Sequence, residues 1–96
     1  MEVRTWKGAT YGVRVGNENA RRFFDKSWAN IEVKIDGEFH VFRLSPTFWT
    51  TCPEFRGGPI PNWLKTNKLD KWLRGKPHRL TLKPLGQNRF WLSLPG

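Results

Sequence analysis

The sequence predicts a mainly β domain with two or three short helices, folded as a small β-pseudobarrel of two similar strand–helix–hairpin units. Short stretches of alternating apolar and polar residues indicate strands, and Asp36-Gly37 between two of them is typical of a tight hairpin turn. The same order of elements recurs in the second half of the chain. Aromatic residues make up 15% of the 96 residues, which is enough for one core but not for two. We therefore expect a single domain at 1–96, with one unit at about 2–44 and the other at about 58–94.

The first unit begins with a predicted hairpin whose strands, at 3–6 and 11–15, flank a turn at 7–9. A short amphipathic helix follows, and Asn17 or Asn19 is expected to cap its first turn. Apolar residues spaced three, one and four positions apart share one face of this helix. They are Ala20, Phe23, Phe24 and Trp28.

The clearest predicted element is a hairpin at the end of the first unit. Apolar residues alternate with polar ones up to Asp36-Gly37, where a type I′ turn requires positive φ at both central residues. Alternation resumes at Phe39 and Val41, but the next apolar residues are Phe42 and Leu44, so the phase changes. This change predicts either a β-bulge or a strand that is covered on both faces.

The second half repeats these elements. Ser45-Pro46 predicts a short helical turn that Pro53 ends, and Asn62 is expected to cap a helix that runs to Gly75. The apolar positions of that helix are Trp63, Leu64, Leu69, Trp72 and Leu73. A final hairpin is predicted to turn at 84–88, and its strands are marked by apolar residues at alternate positions. These are Leu80, Leu82, Phe90, Leu92 and Leu94.

Positive charge is concentrated in the second half. The chain has 17 Lys and Arg against 8 Asp and Glu, which gives a net charge of +9 and a pI near 10.5. Residues 1–48 carry eight bases and six acids, a net +2, whereas residues 49–96 carry nine bases and two acids, a net +7. Seven of those nine bases lie between 65 and 83, where Asp70 is the one acid. Because an ordinary solvated surface mixes both signs, this segment predicts a polyanionic partner, most simply nucleic acid.

Several other classes of protein are disfavoured. No apolar run exceeds three residues, so we expect neither a membrane span nor a membrane partner. The single cysteine, Cys52, excludes an intramolecular disulfide and predicts a reducing, cytoplasmic location. His40 and His78 lack a carboxylate at a recognisable spacing, and the chain shows no motif for a nucleophile, zinc or a phosphate loop. We therefore expect a protein that is not an enzyme and has no cofactor or metal.

A recognisable order of short motifs occupies the first half. Residues 8–15 place a glycine before a strand that ends in Val-Arg-Val, a helix follows at 20–24, and a strand of alternating charge ends in glycine at 31–37. Over about 2–44 the chain thereby resembles AbrB/MazE-type domains. In that family two such units form a swapped-hairpin dimer that binds DNA through basic residues of its sheet and loops. If 58–94 is a diverged second copy, the resemblance implies that one chain supplies both units of a DNA-binding pseudobarrel.

The resemblance also implies which residues contact DNA. Arg4, Lys7 and Arg14 match the basic residues of the first hairpin that carry these contacts in the family. The chain departs from the family pattern in two ways. The residue after Val15 is glycine rather than the usual proline, although the second copy has Ile60-Pro61. The sequence also carries no long acidic tail of the kind that MazE-type antitoxins wrap around a toxin. This favours DNA binding over an antitoxin role.

The six tryptophans raise alternatives to duplex binding. Trp6 and Trp63 lie beside basic or turn segments, so we expect them to be exposed and available to stack on unpaired bases, at about 1–3 kcal/mol per base. The other four fit apolar faces and are expected in the core. They are Trp28, Trp49, Trp72 and Trp91. Single-stranded DNA or RNA binding is thus one alternative, and a non-enzymatic interaction module for an acidic protein is another.

Taken together, the residues predict a nucleic-acid-binding protein, with duplex DNA favoured and a transcriptional regulator or accessory DNA-binding protein as the expected role. The partner is nucleic acid, and the sequence is compatible with a monomer or a homodimer. The residues expected to bind nucleic acid are Arg4, Lys7, Arg14, Lys65, Lys68, Lys71, Arg74, Lys76, Arg79 and Lys83.

Overall fold

The computed structural model describes residues 1–95. In this range the chain forms seven strands, two α-helices and one 3₁₀ turn. In chain order the elements are β1 (Glu2–Lys7), β2 (Tyr11–Arg14), α1 (Asn17–Phe23), β3 (Asn30–Ile35), β4 (Glu38–Arg43), the 3₁₀ turn (Pro46–Trp49), β5 (Glu54–Arg56), α2 (Ile60–Thr66), β6 (Arg79–Gly86) and β7 (Arg89–Ser93).

The seven strands form one curled sheet in the order β4-β3-β7-β6-β1-β2-β5. Neighbouring strands are antiparallel except β3 and β7, which run parallel. The curl brings the two edge strands toward each other, so that the rings of Phe42 on β4 and Phe55 on β5 lie with centroids 5.0 Å apart. The result is a nearly closed barrel, which confirms the predicted mainly β pseudobarrel.

Two strand–helix–hairpin units make up this barrel. The first is β2-α1-β3-β4, which β1 precedes and extends, and the second is β5-α2-β6-β7, which begins at Glu54, a few residues before the predicted start of the second unit. The units interleave, because β1 pairs with β6 and β3 pairs with β7. Val33 of one unit therefore lies opposite Phe90 of the other, and the two units share a single core.

Aromatic rings fill the part of the core beneath α1. Phe24 stacks on Phe90 with centroids 4.7 Å apart and lies 5.1 Å from Phe48. Trp28 is half-buried and places its ring edge-on to Phe24 and Phe90 at 6.0 and 6.1 Å. The Ser27 amide donates a hydrogen bond to the Asp25 carboxylate at 2.8 Å, which lowers the pKa of Asp25 and holds the turn that leads into Trp28.

The structure corrects two predictions about the first unit. Neither Asn17 nor Asn19 caps α1: the N-cap is Gly16, and the Asn19 amide instead donates to the backbone carbonyls of Glu2 and Val15 at 2.9 and 3.0 Å. This ties the helix to β1. The prediction of a bulge or a doubly covered strand in the hairpin after Asp36-Gly37 is also wrong, because β3 and β4 pair without a bulge. The outer face of β4 is open to solvent, and it is that face that carries Phe39 and Val41, which are 43% and 68% exposed.

The second helix is shorter than predicted. It ends at Thr66 rather than near Gly75, and its N-cap is Pro59 rather than Asn62. Proline suits the first turn of a helix because its missing N–H has no partner there in any case. Lys68 then adopts a positive φ of 59°, which turns the chain out of the helix. Residues 67–78 consequently form a loop, named the basic loop below.

Gly12 lies on β2 opposite Arg56 of β5. A Cβ atom at this position would lie 2.5 Å from the Phe55 carbonyl oxygen and 2.7 Å from the Arg56 Cβ. We expect Gly12→Ala to lower the free energy of unfolding by about 1–3 kcal/mol, since backbone atoms must move to make room. Urea denaturation measures this, and Gly12→Ser should cost more. An unchanged midpoint for both variants would contradict the close approach.

Candidate nucleic-acid interface

Three arginines lie side by side on the outer face of three neighbouring strands. Arg4 on β1 is directly opposite Arg14 on β2 and Arg79 on β6. Val3 and Val13 point into the core, so the alternation of the strands turns the arginines outward. The side chains of Arg79, Arg4 and Arg14 are 68%, 43% and 51% exposed. We call these three residues the arginine row.

Two carboxylates pair with the arginine row. Glu2 is 2.9 Å from Arg4 and 3.9 Å from Arg79, and Glu54 accepts hydrogen bonds from Arg14 Nη2 and Nε at 3.1 and 3.3 Å. The Glu54 side chain is 7% exposed, so its pair with Arg14 also satisfies a nearly buried carboxylate. The pairs of Glu2 are exposed and are worth little in free energy. Arg4 and Arg79 can therefore exchange this carboxylate for a phosphate at small cost.

The basic loop is fastened to the first hairpin, beside the arginine row. The Thr5 amide donates to the His78 carbonyl oxygen and the His78 amide donates to the Thr5 hydroxyl, both at 2.9 Å. The Tyr11 hydroxyl donates to the Asp70 carbonyl oxygen at 2.8 Å. The Trp72 ring packs edge-on against Tyr11 and His78, each with a centroid distance of 6.0 Å. Side-chain hydroxyls and an aromatic contact thus place the most basic segment of the chain against β1 and β2.

Two shallow grooves run between the hairpin and the loop. One, of about 380 Å³, is lined by residues that include Arg4, Arg14, Lys7 and Trp72. The other, of about 310 Å³, is lined by residues that include Lys7, Lys71 and Trp72. Lys7 belongs to both, and its ammonium group lies 5.1 Å from the centroid of the Tyr11 ring. The grooves therefore bring basic residues of the first hairpin next to Lys71, a basic residue of the second half.

Most of the predicted binding residues belong to this one region. Arg4, Lys7, Arg14, Lys71 and Arg79 are brought together as described. The remaining bases of the loop are exposed, and they are Lys68, Arg74 and Lys76. Two predicted residues lie elsewhere. Lys65 is exposed on α2, and Lys83 lies four residues further along β6, opposite Trp91.

The tryptophan assignments need correction. Trp63 is 6% exposed and belongs to the core, because α2 turns that face inward, so it is not a stacking residue. Trp6 is half-buried, with its ring against Gly8 and the Arg56 guanidinium 5.7 Å from its centroid. Trp91, expected in the core, is 44% exposed. The alternation itself was a signal for this, since buried neighbours at 90 and 92 turn residue 91 outward.

The other three tryptophans are half-buried. Trp28 and Trp49 pack against the core as predicted. Trp72 does not, because the basic loop carries it to Tyr11 and His78 instead. Its contacts therefore fix the loop rather than the barrel.

Comparison of the chain with protein-family models, curated proteins and solved structures gives no match. The resemblance of residues 2–44 to AbrB/MazE-type domains therefore stays a prediction.

The two histidines and the cysteine have structural positions rather than positions in the arginine row. Ring Nε2 of His78 donates to the Lys71 carbonyl oxygen at 2.8 Å, which fixes the loop, and His40 lies on β4 opposite Val33. Cys52 is half-buried and unpaired. Within residues 1–95 no three His, Cys, Asp or Glu side chains come together as metal ligands, and no helix is long and apolar enough to cross a membrane.

Proposed function

We propose that this domain binds nucleic acid, with duplex DNA as the favoured form, by holding the phosphate backbone against the arginine row and the basic loop. The observation that carries the proposal is the register that aligns Arg79, Arg4 and Arg14 across three adjacent strands. Like charges directly opposite each other destabilise a sheet. Glu2 and Glu54 offset part of that cost, phosphates placed over the row would offset more of it, and each contact would release counterions from the DNA. The role we propose is that of a transcriptional regulator or accessory DNA-binding protein.

The dimensions of the site suit a duplex. Adjacent strands are about 4.8 Å apart, so the arginine row spans roughly 10 Å. Over that length a duplex presents about six phosphate charges, because it carries one negative charge per 1.7 Å of axis. The three arginines and the bases of the loop are comparable in number. Because Trp6 is half-buried against Gly8 and Trp72 packs on its neighbours, the site favours phosphate contacts over base stacking.

Salt dependence tests the proposal directly. If about five phosphates are engaged, a plot of log affinity against log salt concentration should have a slope near −4.5. Fluorescence anisotropy of a labelled duplex, titrated between about 50 and 200 mM salt, measures that slope. A slope near zero would overturn the proposal.

Polyglutamate of matched charge is the control for the acidic-protein alternative. Duplex DNA should bind more tightly than polyglutamate at low salt, because its charges lie closer together, at one per about 1.7 Å of axis, and their neutralisation releases more counterions. Equal affinity and equal slope for both polymers would contradict nucleic-acid binding and favour an acidic protein partner.

A further inference from the structure

A second outward row crosses the other half of the sheet. Lys83 on β6 is opposite Trp91 on β7, Trp91 is opposite Lys34 on β3, and Lys34 is opposite Phe39 on β4. Lysine and aromatic side chains therefore alternate across four adjacent strands. We call these four residues the mixed row. Apart from Lys83, none of them belongs to the set that the sequence predicted.

The two rings of the mixed row have no role in the core. Trp91 and Phe39 are 44% and 43% exposed, and the core on these strands is formed by the inward residues at alternate positions. The Arg89 guanidinium lies 5.2 Å from the centroid of the Phe39 ring and pairs with Glu32 at 3.5 Å. Within residues 1–95, Trp91 makes no ring–ring or cation–ring contact. Folding alone does not explain two large exposed rings in register with lysines.

We infer that the mixed row is a stacking platform for unpaired bases of a single-stranded nucleic acid. Trp91 offers a ring face to a base, Phe39 offers the ring surface that the Arg89 guanidinium leaves exposed, and Lys34 and Lys83 neutralise the phosphates between and beside them. Ring faces accept any base, so the platform favours single strands over a particular sequence. Within residues 1–95 neither lysine of the row forms an ion pair, and this combination of exposed rings and positive charge favours a polyanion that has aromatic groups of its own.

The spacing of the rings selects an unpaired strand. Trp91 and Phe39 lie two strands apart, which is roughly 10 Å. Bases in a duplex follow each other at about 3.4 Å and are covered by their neighbours. Only an extended strand with its bases turned outward can place one base on each ring. Duplex DNA would meet this row through the two lysines alone.

A protein partner is the competing occupant of this face, since Val41 on β4 is also exposed. Interface cores are depleted in lysine, however, and here Lys34 separates the two rings. The inference goes beyond the proposed function and uses other residues. The duplex site can fail while the platform holds, and the reverse is equally true.

Binding of a labelled oligothymidylate and of a labelled duplex, measured by anisotropy in parallel, tests the inference. Trp91→Ala and Phe39→Ala should each weaken oligothymidylate binding by about 5- to 150-fold and leave duplex binding within about twofold. Trp91→Phe should retain most of the affinity because a ring face remains. Val41→Ala is the matched control on the same outer face and should change neither. Circular dichroism confirms that each variant is folded.

Lys34→Gln gives an independent readout, because it should reduce the salt slope for oligothymidylate by about 0.7. Unchanged oligothymidylate binding by both ring variants would overturn the inference. So would an equal loss for duplex and single strand, which would make the row part of a general phosphate surface. A shift in sedimentation from dimer to monomer by Trp91→Ala, Phe39→Ala and Val41→Ala alike, with nucleic-acid binding unchanged, would assign the face to a second copy of the chain and also overturn it.

Discussion

Replacing Phe90 with alanine is expected to lower the free energy of unfolding by about 3–5 kcal/mol. Phe90 is 1% exposed, stacks on Phe24 at 4.7 Å and meets the edge of Trp28 at 6.1 Å. It also lies opposite Val33 in the parallel pairing that joins the two units. Truncation would leave a cavity at the point where the units meet, and the neighbouring rings are too rigid to fill it.

Trp91→Ala is the matched control for this effect, because it removes a larger ring one residue away on the same strand. Because Trp91 is 44% exposed, the expected loss is smaller, about 1–2 kcal/mol. Urea denaturation of both variants, with Phe90→Leu as an intermediate, measures the contrast. Equal losses at 90 and 91 would mean that Trp91 is as deeply buried as Phe90. The mixed row would then lose its support as well.

Local chemistry accounts for the parts of the fold that were predicted from the sequence. Asp36 and Gly37 have φ values of 51° and 83°, the positive values that the predicted hairpin turn requires. Ile31, Val33 and Ile35 are all buried, as their alternation with charged residues predicts. Turns and alternation depend on neighbours in the chain, so they are visible before any tertiary contact is known.

Contacts between distant residues account for the rest. The parallel pairing of Val33 with Phe90 has no local signal, and neither does the pairing of Thr5 with His78 that fastens the far end of the basic loop to β1. Apolar residues at 69, 72 and 73 suggested a longer helix. Tertiary hydrogen bonds hold that segment as a loop instead, and Leu73 is left 74% exposed.

The candidate site, too, can be predicted from the sequence only in part. Arg4 and Arg14 face each other across a hairpin whose turn is readable in the sequence. Arg79 joins them only because β1 pairs with β6, from opposite ends of the chain. The sequence therefore indicated which residues were basic and in excess, but the alignment of three of them in one row required the topology of the barrel.

Reversing the charge of Lys71, Arg74 and Lys76 to glutamate in one variant is expected to weaken duplex binding by more than about 100-fold near 0.15 M salt. Each phosphate contact contributes about 0.7 log unit at that concentration relative to 1 M salt, so three contacts contribute about two log units. Repulsion by the new carboxylates adds to the loss. The side chains are exposed, so the barrel should unfold at nearly the same urea concentration as the parent.

The matched control reverses Arg21, Arg22 and Lys26, three exposed bases at the end of α1 and just beyond it. Both triple variants lower the net charge from +9 to +3, so any difference between them reports position rather than total charge. We expect the control to lose less than about tenfold, through long-range attraction alone. Equal losses would mean that DNA responds to the average charge of the molecule, and the arginine row and basic loop would then not be the site. A large loss confined to the loop variant would place the DNA-binding site in the second half of the chain, where the excess positive charge lies.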